Sequence, residues 1–305
     1  MKLVSVIIPC YKNSQTLSRA INSVISQSYS SIEIIVVNDC SPESKEIEAV
    51  LLDYLEVRYL RNPVNVGPAV TRNIGLAFAN GEIVAFLDAD DEYHPEKIEL
   101  QVAALDEKTV VTCGLTRIFH DGKMVHRKGV TSIVEDPKFL LYRNKLNGAG
   151  LLSFRDLLLQ HGGYDPTLLA CEDWDLYLRL LSAGVKVKVI SQPLYFYYSS
   201  PLSLSANKDS NYQWGLAVLK NHSTRMDKNF INNYLYAFAI ILRMTKYLVM
   251  SDWDNRLDKL EQVIYDTKML KAYPILRRLF ILLVRSRILF LFTYVYRFKH
   301  RLTLV

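Results

Sequence analysis

Short apolar runs alternate with helical patterns through the first hundred residues, and this alternation constrains the fold more than any other feature of the chain. A helix with an N-cap at Ser14 is predicted between the first two runs, and a second from about residue 68 to 79. Such repeated βα units predict an α/β fold with a mostly parallel, Rossmann-like sheet and helices on both faces. The four predicted strands lie at residues 3–8, 32–37, 57–60 and 83–87.

Polar residues follow three of these strands at their carboxyl ends. Pro9 and Tyr11 follow the first strand, Asp39 ends the second, and Asp88 and Asp90 follow the fourth. Open parallel sheets bind ligands in the crevice at this edge. The sequence therefore predicts a ligand site where these residues meet.

Asp88 and Asp90 are two residues apart directly after an apolar strand. Alternate side chains of an extended segment point the same way, so both carboxylates can face one bound cation. Hard divalent cations prefer oxygen ligands, and Mg²⁺ commonly uses one or two carboxylates plus substrate phosphates. The alternative is a solvated acidic turn that leads to an N-cap before Pro95.

Asp39 and Arg72 each allow a functional and a structural interpretation. Asp39 can accept hydrogen bonds from ribose hydroxyls or a base edge, or it can form an Asx-turn into Ser41-Pro42. Arg72 lies on the predicted helix after Gly67, where its guanidinium can face a diphosphate. The alternative for Arg72 is a surface ion pair, the commoner fate of a helical arginine.

A further helix is predicted to begin at Glu172-Asp173, to carry Trp174 on its apolar face and to end at Gly184. Acidic residues in a first turn are favoured by the helix dipole, which is enough to explain both carboxylates. The functional alternative makes Asp173 a general base that takes a proton from an attacking hydroxyl.

Several segments stand in a characteristic order along the chain. They are SVIIPCYKN at 5–13, QSY at 27–29, EIIVVND at 33–39, NVG at 65–67, RNIG at 72–75, AFLDADD at 85–91 and EDWD at 172–175. This order resembles the family 2 glycosyltransferases with the GT-A fold, over about residues 1–205. The resemblance implies an inverting transferase that uses a nucleotide-diphosphate sugar, most often a UDP-sugar, with Mg²⁺ or Mn²⁺.

The resemblance also implies roles for individual residues. Asp173 matches the catalytic base, and Glu172 and Trp174 lie on the acceptor side. Asp90 would contact the metal most directly, with Asp88 beside it on the ribose–diphosphate. The full set of residues that match the donor-binding positions is Pro9, Tyr11, Asp39, Arg72, Asp88 and Asp90.

Two departures from the family pattern bear on mechanism. Many relatives carry a Y-R-x-H-x-x-S-x-S stretch after the base helix, but here Tyr198 stands for the arginine and Ser200 for the histidine. Processive synthases carry Q-x-x-R-W after the acidic pair, whereas this chain has LYLRL at 176–180. We therefore predict transfer of one sugar per encounter.

The charge is divided unevenly along the 305 residues, although the net charge is only +6. No acidic residue follows Asp266, and nine of the 37 basic residues lie in the last 39 positions. Arg277, Arg278 and Arg285 would form a cationic stripe on an otherwise apolar helix. Such a helix fits the surface of an anionic cytoplasmic leaflet, or it packs on the body with solvated arginines.

These patterns predict two regions. Residues 1–211 form the glycosyltransferase domain, with a nucleotide-sugar half at about 1–110 and an acceptor half at about 111–211. Residues 212–305 form a helical basic region with peripheral membrane contact, which would make a lipid-linked acceptor of surface polysaccharide assembly the natural substrate. Nucleic acid fits poorly as a partner, because no recognised binding motif accompanies the charge.

Localisation follows from what the sequence lacks. The apolar run at the N-terminus ends at Pro9 and is too short for a signal peptide. The sequence contains no run of 18 or more strongly apolar, uncharged residues, so a membrane span is not predicted. The uncharged run at 189–207 contains Pro193 and Pro201 and is predicted to include a loop. The four cysteines show no zinc-binding spacing and read as reduced structural thiols. We predict a cytoplasmic protein at the inner face of the membrane.

Three other classes of protein fit the sequence less well. A sugar nucleotidyltransferase would carry a glycine-rich loop with Arg and Lys near Pro9, and a dehydrogenase would carry G-x-G-x-x-G after its first strand; neither is present. A non-catalytic nucleotide-sugar-binding or scaffold protein would keep the nucleotide pocket without a working base. The joint presence of Asp90 and Asp173 argues against it.

Overall fold

The computed structural model describes residues 1–129, 132–141, 143–200, 208–225 and residue 278. The chain divides into two compact units, Met1–Leu140 with Asn144–Asn207 and Leu141–Arg143 with Lys208–Val305. Apart from Arg278, the predicted cationic helix lies outside the described residues. Within the described ranges, no helix combines the length and apolar character that a membrane span requires.

The first unit is built on one mixed sheet. Its strands are β1 (Val4–Cys10), β2 (Ile32–Asn38), β3 (Arg58–Arg61), β4 (Ile83–Phe86), β5 (Glu92–Tyr93), β6 (Thr109–Ile118), β7 (Met124–Arg127), β8 (Ile133–Val134), β9 (Leu152–Phe154) and β10 (Lys186–Tyr198). The order is β3-β2-β1-β4-β9-β6-β10-β5, with β7 beside β6 and β8 beside β10. The longest pairings, β1 with β2 and β6 with β10, are parallel, and the antiparallel pairings are short.

Helices cover both faces of the parallel strands. They are α1 (Leu17–Ile25), α2 (Ser44–Leu51), α3 (Pro68–Phe78), α4 (Lys97–Ala104), α5 (Arg155–Gln160) and α6 (Glu172–Ser182), with α7 (Lys208–Arg225) in the second unit. Val6 and Ile8 of β1 belong to the core cluster that includes Leu17 of α1, whereas Ile7 faces α3 at Gly75. Because β1 is buried on both faces, the predicted α/β class with a mostly parallel sheet is confirmed.

The register of the parallel strands aligns their carboxyl ends. Cys10 pairs with Asn38 across β1 and β2, and the N–H of Asp39 donates to the Cys10 carbonyl at 2.9 Å. On the other side of β1, the N–H of Leu87 donates to the Ile7 carbonyl at 3.0 Å. The residues that follow these three strands therefore meet at one edge of the sheet.

Two local predictions were wrong. The N-cap of α1 is Thr16, and Ser14 instead donates its hydroxyl to Glu43 at 2.8 Å. Residues 189–198 are not a loop, because β10 continues through Pro193. The pairing of β10 with β6 shifts register on both sides of Pro193, and such an irregularity accommodates a residue that cannot donate to the ladder.

Candidate active site

The acidic segment after β4 forms a turn. Ala89 and Asp90 occupy the turn, and the N–H of Asp91 donates to the Asp88 carbonyl at 3.0 Å. The prediction that Asp88 and Asp90 lie on an extended segment was therefore wrong, because this hydrogen bond folds the chain back after Asp88. We call residues Asp88–Asp91 the acidic turn.

A buried carboxylate fixes the acidic turn to β10. Asp91 is fully buried and accepts hydrogen bonds from the Tyr195 hydroxyl and the Tyr198 N–H, both at 2.8 Å. The Tyr195 hydroxyl also accepts from the N–H of Asp88 at 3.3 Å. Burial, with the charges of Asp88 and Asp90 adding to it, raises the pKa of Asp91 well above its usual range.

Asp90 has the environment of a carboxylate suited to a cation. Burial raises its pKa to about 6, and the charge of Asp88 adds to the shift. A divalent cation beside Asp90 would reverse this penalty. Among the described residues, no group of three or more ligating side chains is placed to hold a metal. Two carboxylates plus substrate phosphates are a usual donor set for Mg²⁺, and Asp88 and Asp90 fit it.

Arg72 joins the acidic turn to the start of α6. Its guanidinium contacts Asp88 Oδ1 at 2.7 Å and Glu172 Oε1 at 2.6 Å. The Arg72 side chain is only 10% exposed, and its guanidinium lies 5.5 Å from the centroid of the Tyr164 ring. Arg72 therefore does not form a surface ion pair, which was the alternative interpretation of its position on the helix.

Asp173 lies beside this bridge, in the first turn of α6. Its carboxylate accepts hydrogen bonds from the Asn144 side-chain amide at 2.8 Å and the Trp174 N–H at 2.7 Å. Burial, with the charge of Glu172 adding to it, raises the pKa of Asp173 to about 7. A carboxyl group that titrates near neutral pH is suited to act as a general base.

A loop passes directly against the Asp173 carboxylate. A Cβ placed on Gly148 would lie 2.0 Å from Asp173 Oδ2. This loop is anchored by the Asn147 carbonyl, which accepts from the Thr112 hydroxyl at 2.7 Å and the Tyr177 hydroxyl at 3.0 Å. Only a residue without a side chain fits position 148 while the carboxylate keeps its place.

Gly148→Ala should therefore displace the Asp173 carboxylate and lower the transfer rate by about 10²-fold, the scale of a 1 Å misplacement of a reacting group. The measurement is the steady-state rate of nucleotide release. Gly122→Ala is the control, because Gly122 has a φ of +79° and open space around it. That change adds backbone strain alone, so it should lower the melting temperature and leave the rate unchanged. Equal rates for Gly148→Ala and the natural protein would contradict the placement of the loop.

The two other predicted acceptor-side residues differ in exposure. The side chain of Glu172 is 12% exposed and is paired with Arg72. Trp174 is buried, and its indole N–H donates to the Leu140 carbonyl at 2.8 Å. The position of Trp174 fits support of the segment around Leu140 better than contact with an acceptor.

Asp39 organises the loop before α3. Its carboxylate accepts hydrogen bonds from the Asn62 side chain and from the N–H groups of Val66 and Gly67, each at 2.9 Å. It does not form the Asx-turn into Ser41, because the neighbouring Asn38 accepts that N–H instead. A carboxylate has about four acceptor positions, so one remains for a ligand.

Pro9 and Tyr11 end the parallel edge beside Asp39. Tyr11 is 41% exposed, which leaves its ring accessible to a planar ligand. The next residue, Lys12, donates its N–H to the Ser41 hydroxyl at 3.0 Å and so ties the ends of β1 and β2 together.

Arg72 thus links one predicted donor residue, Asp88, to Glu172, which directly precedes the predicted base Asp173 in the sequence. Sequence reasoning missed four contributors, and only one had a local signal: Asp91 adjoins the D-x-D pattern. The others come from distant parts of the chain and are Asn144, Gly148 and Tyr195.

Comparisons with known proteins show which proteins this chain resembles. The sequence profile of glycosyl transferase family 2 matches residues 5–156. An uncharacterized glycosyltransferase of Rickettsia bellii is 28% identical over 293 residues, which cover 91% of this chain and 42% of that protein. The chain therefore spans less than half the length of this relative.

Two further relatives have more specific names. The amylovoran biosynthesis glycosyltransferase AmsB of Erwinia amylovora is 24% identical over 287 residues, covering 85% of this chain and 94% of AmsB. The UDP-Glc:alpha-D-GlcNAc-diphosphoundecaprenol beta-1,3-glucosyltransferase WfgD of Escherichia coli is 26% identical over 149 residues, covering 49% of this chain and 57% of WfgD.

A solved structure shows the same fold. The S. aureus TarS structure with UDP-GlcNAc superposes with a TM-score of 0.68 at 18% identity, covering 93% of this chain and 88% of that one. The family profile, the named relatives and this superposition lead to one conclusion: the chain belongs to glycosyl transferase family 2 and has the GT-A fold.

Proposed function

We propose that this protein transfers a single sugar from a nucleotide-diphosphate sugar, most simply a UDP-sugar, to a hydroxyl of a glycan or lipid-linked saccharide, with inversion at the anomeric carbon. The observation that carries the proposal is the Arg72 bridge. It holds Asp88 of the acidic turn and Glu172 of α6 on one guanidinium, with Asp173 next in sequence. The bound donor and the general base would then both lie close to Arg72.

The donor would lie along the edge formed by β1, β2 and β4. Pro9, Tyr11 and Asp39 would hold the nucleoside, and Arg72 would lie near the diphosphate. WfgD is named for UDP-Glc, and the TarS structure contains UDP-GlcNAc; these names support a UDP-sugar as the donor here.

Asp90 and Asp88 would hold Mg²⁺ or Mn²⁺. When bound, such a cation stabilises the negative charge that develops on a leaving diphosphate. Asp90 is the better ligand of the two, because Arg72 already neutralises the carboxylate of Asp88.

Asp173 would accept the proton of the acceptor hydroxyl as that hydroxyl attacks. Direct attack opposite the leaving group inverts configuration and needs one base, so one placed carboxylate is sufficient. Asn144 and the Trp174 N–H hold the two oxygens of Asp173, which fixes the orientation of the carboxylate.

The pH dependence of kcat/KM follows from this role. Asp173 acts when deprotonated and its pKa is about 7, so the rate should fall about tenfold for each pH unit below that value. In Glu172→Gln, a negative charge that raises this pKa is lost, so the acidic limb of the profile should move to lower pH. An acidic limb that stays in place in this variant would contradict the assignment.

The acceptor is proposed to be membrane-linked. WfgD is named for a diphosphoundecaprenol acceptor, and the basic C-terminal region would hold this protein at the cytoplasmic face of the membrane. Changing Arg277, Arg278 and Arg285 to Glu should abolish sedimentation with anionic vesicles. The matched control changes three exposed lysines of the first unit, Lys45, Lys108 and Lys123. Unchanged sedimentation of the arginine variant would contradict membrane contact.

A donor screen tests the proposed activity. The purified protein would be incubated with Mn²⁺, membrane extract and a panel of nucleotide sugars, and the released nucleoside diphosphate would be measured. We expect UDP release from at least one UDP-sugar. Binding of UDP without release from any donor would overturn the enzyme assignment in favour of a nucleotide-sugar-binding or scaffold protein.

A further inference from the structure

The acidic turn is held from a second direction by α1. The N-cap residue Thr16 donates its hydroxyl to the Ala89 carbonyl at 2.8 Å, and Arg19, one helical turn later, donates to the Asp90 carbonyl. The start of α1 therefore binds the backbone of both central residues of the turn. Asp90 is the proposed metal ligand. Contacts that fix the backbone of Asp90 therefore also limit the positions that its carboxylate can occupy.

Arg19 is itself held by β10. Its guanidinium lies 3.6 Å from the centroid of the Tyr198 ring, close contact for a cation–π pair. The Nε of Arg19 is 3.0 Å from Glu92 Oε1, and the Tyr198 hydroxyl donates to the same oxygen at 2.6 Å. The Asp90 carbonyl and the Tyr198 ring hold the guanidinium on two sides, and the Glu92 carboxylate lies beside it as an ion-pair partner without a hydrogen bond to Nε.

Tyr198 also contacts the acidic turn through its backbone. Its N–H donates to Asp91 Oδ1 at 2.8 Å, while its ring makes the cation–π contact with Arg19. Tyr198 stands at a position where the family pattern has an arginine, and the Arg19 guanidinium of α1 lies over its ring.

We propose that Arg19 and Tyr198 are a positioning pair that sets the acidic turn for binding of the metal and the diphosphate. This inference rests on the proposed function. The pair touches no reacting atom; it acts through the Asp90 carbonyl and the Asp91 carboxylate. The apolar contacts of α1 with the core come from other residues, Leu17, Ala20 and Ile21 among them, so the fold does not depend on the Arg19 side chain.

The test measures Mn²⁺-dependent binding of UDP by calorimetry. Arg19→Met and Tyr198→Leu should each weaken UDP binding in the presence of Mn²⁺ by about 10- to 100-fold, the usual cost of losing a residue that orients a metal ligand. The double variant should lose no more than either single variant, since the two side chains act as one unit. UDP binding without metal should change less than about twofold in each variant, because it does not use the positioned Asp90.

Conservative variants separate positioning from charge and from folding. Tyr198→Phe keeps the ring beneath Arg19 and should lose less affinity than Tyr198→Leu. Arg19→Lys keeps the charge but cannot span both Asp90 and Glu92, so it should not restore binding; full affinity in this variant would overturn the positioning role. Arg58→Met is the matched control, because Arg58 also lies over a ring and donates to a carbonyl, both of Phe78, away from the acidic turn.

Failure of the proposed donor and failure of the Arg19–Tyr198 inference give different results. If the natural protein binds no UDP with Mn²⁺, the proposed UDP-sugar donor is wrong. If it binds UDP and every variant binds equally well with an unchanged melting temperature, only the Arg19–Tyr198 inference is overturned. Additive losses in the double variant would also contradict the pair.

Discussion

Asp173→Asn is expected to lower the rate of sugar transfer by about 10²- to 10⁴-fold, the range that a general base contributes. An amide has nearly the shape of the carboxylate but cannot take the proton of the acceptor hydroxyl. Asp173 does not lie among the proposed donor residues, so UDP-sugar affinity should stay nearly unchanged. The measurements are the rate of UDP release under saturating donor and the dissociation constant of UDP with Mn²⁺.

Asp156→Asn provides a matched control for this substitution. Asp156 occupies the first turn of α5 as Asp173 occupies that of α6, but the Asp156 side chain is 94% exposed. Both changes remove an acid from a helix N-terminus, and only one removes the proposed base. An active Asp173→Asn variant would show that Asp173 is not the base, and equal losses in both variants would assign the effect to the helix dipole.

The second large effect is expected for Asp90→Asn. The carboxylate of Asp90 is the proposed principal metal ligand, and its removal should weaken Mn²⁺-dependent UDP binding by at least about 100-fold, since residues that merely orient ligands cost 10- to 100-fold. Transfer should fall with it. Calorimetry with UDP in the presence and absence of Mn²⁺ measures the effect directly.

Asp106→Asn is the control for Asp90→Asn, because Asp106 is an acid paired with a cation, Lys188, outside the site. It should leave the Mn²⁺ dependence intact. Retained Mn²⁺ dependence in Asp90→Asn would instead assign metal binding to another residue.

The sheet and its functional edge were predictable because their signals are local. Apolar runs mark β1, β2 and β4, and the polar residues that follow them meet wherever parallel strands end in register. The start of α6 at Glu172 was predictable for the same reason, since acids in a first turn mark a helix N-terminus. These features need only neighbouring residues.

The contacts that organise the site could not be predicted, because they join distant residues. Tyr195 meets Asp91 across 104 positions, and Arg72 meets Glu172 across 100. Asn144 and Gly148 carry no sequence signal for their contacts with Asp173. The sequence shows which side chains are present. It does not show which carboxylate accepts a hydrogen bond from a given side-chain amide.

Two of the wrong predictions share a physical cause. Spacing by two predicted that Asp88 and Asp90 share a face, but the backbone bond from Asp91 to the Asp88 carbonyl forms a turn. Pro193 predicted a break, but a register shift in the long pairing with β6 absorbs it. In both cases hydrogen bonds of the folded backbone override a local rule.

In the proposed reaction the sugar is transferred to an acceptor and is not merely released by hydrolysis. The most direct measurement supplies the natural protein with a UDP-sugar labelled in the sugar, Mn²⁺ and membrane extract, and follows label in the glycan and lipid-linked fractions, with Asp173→Asn beside it. We expect the natural protein to incorporate label in an amount that matches UDP release, and the variant to incorporate almost none. Release of UDP with all label remaining as free sugar, or equal incorporation by both proteins, would contradict it.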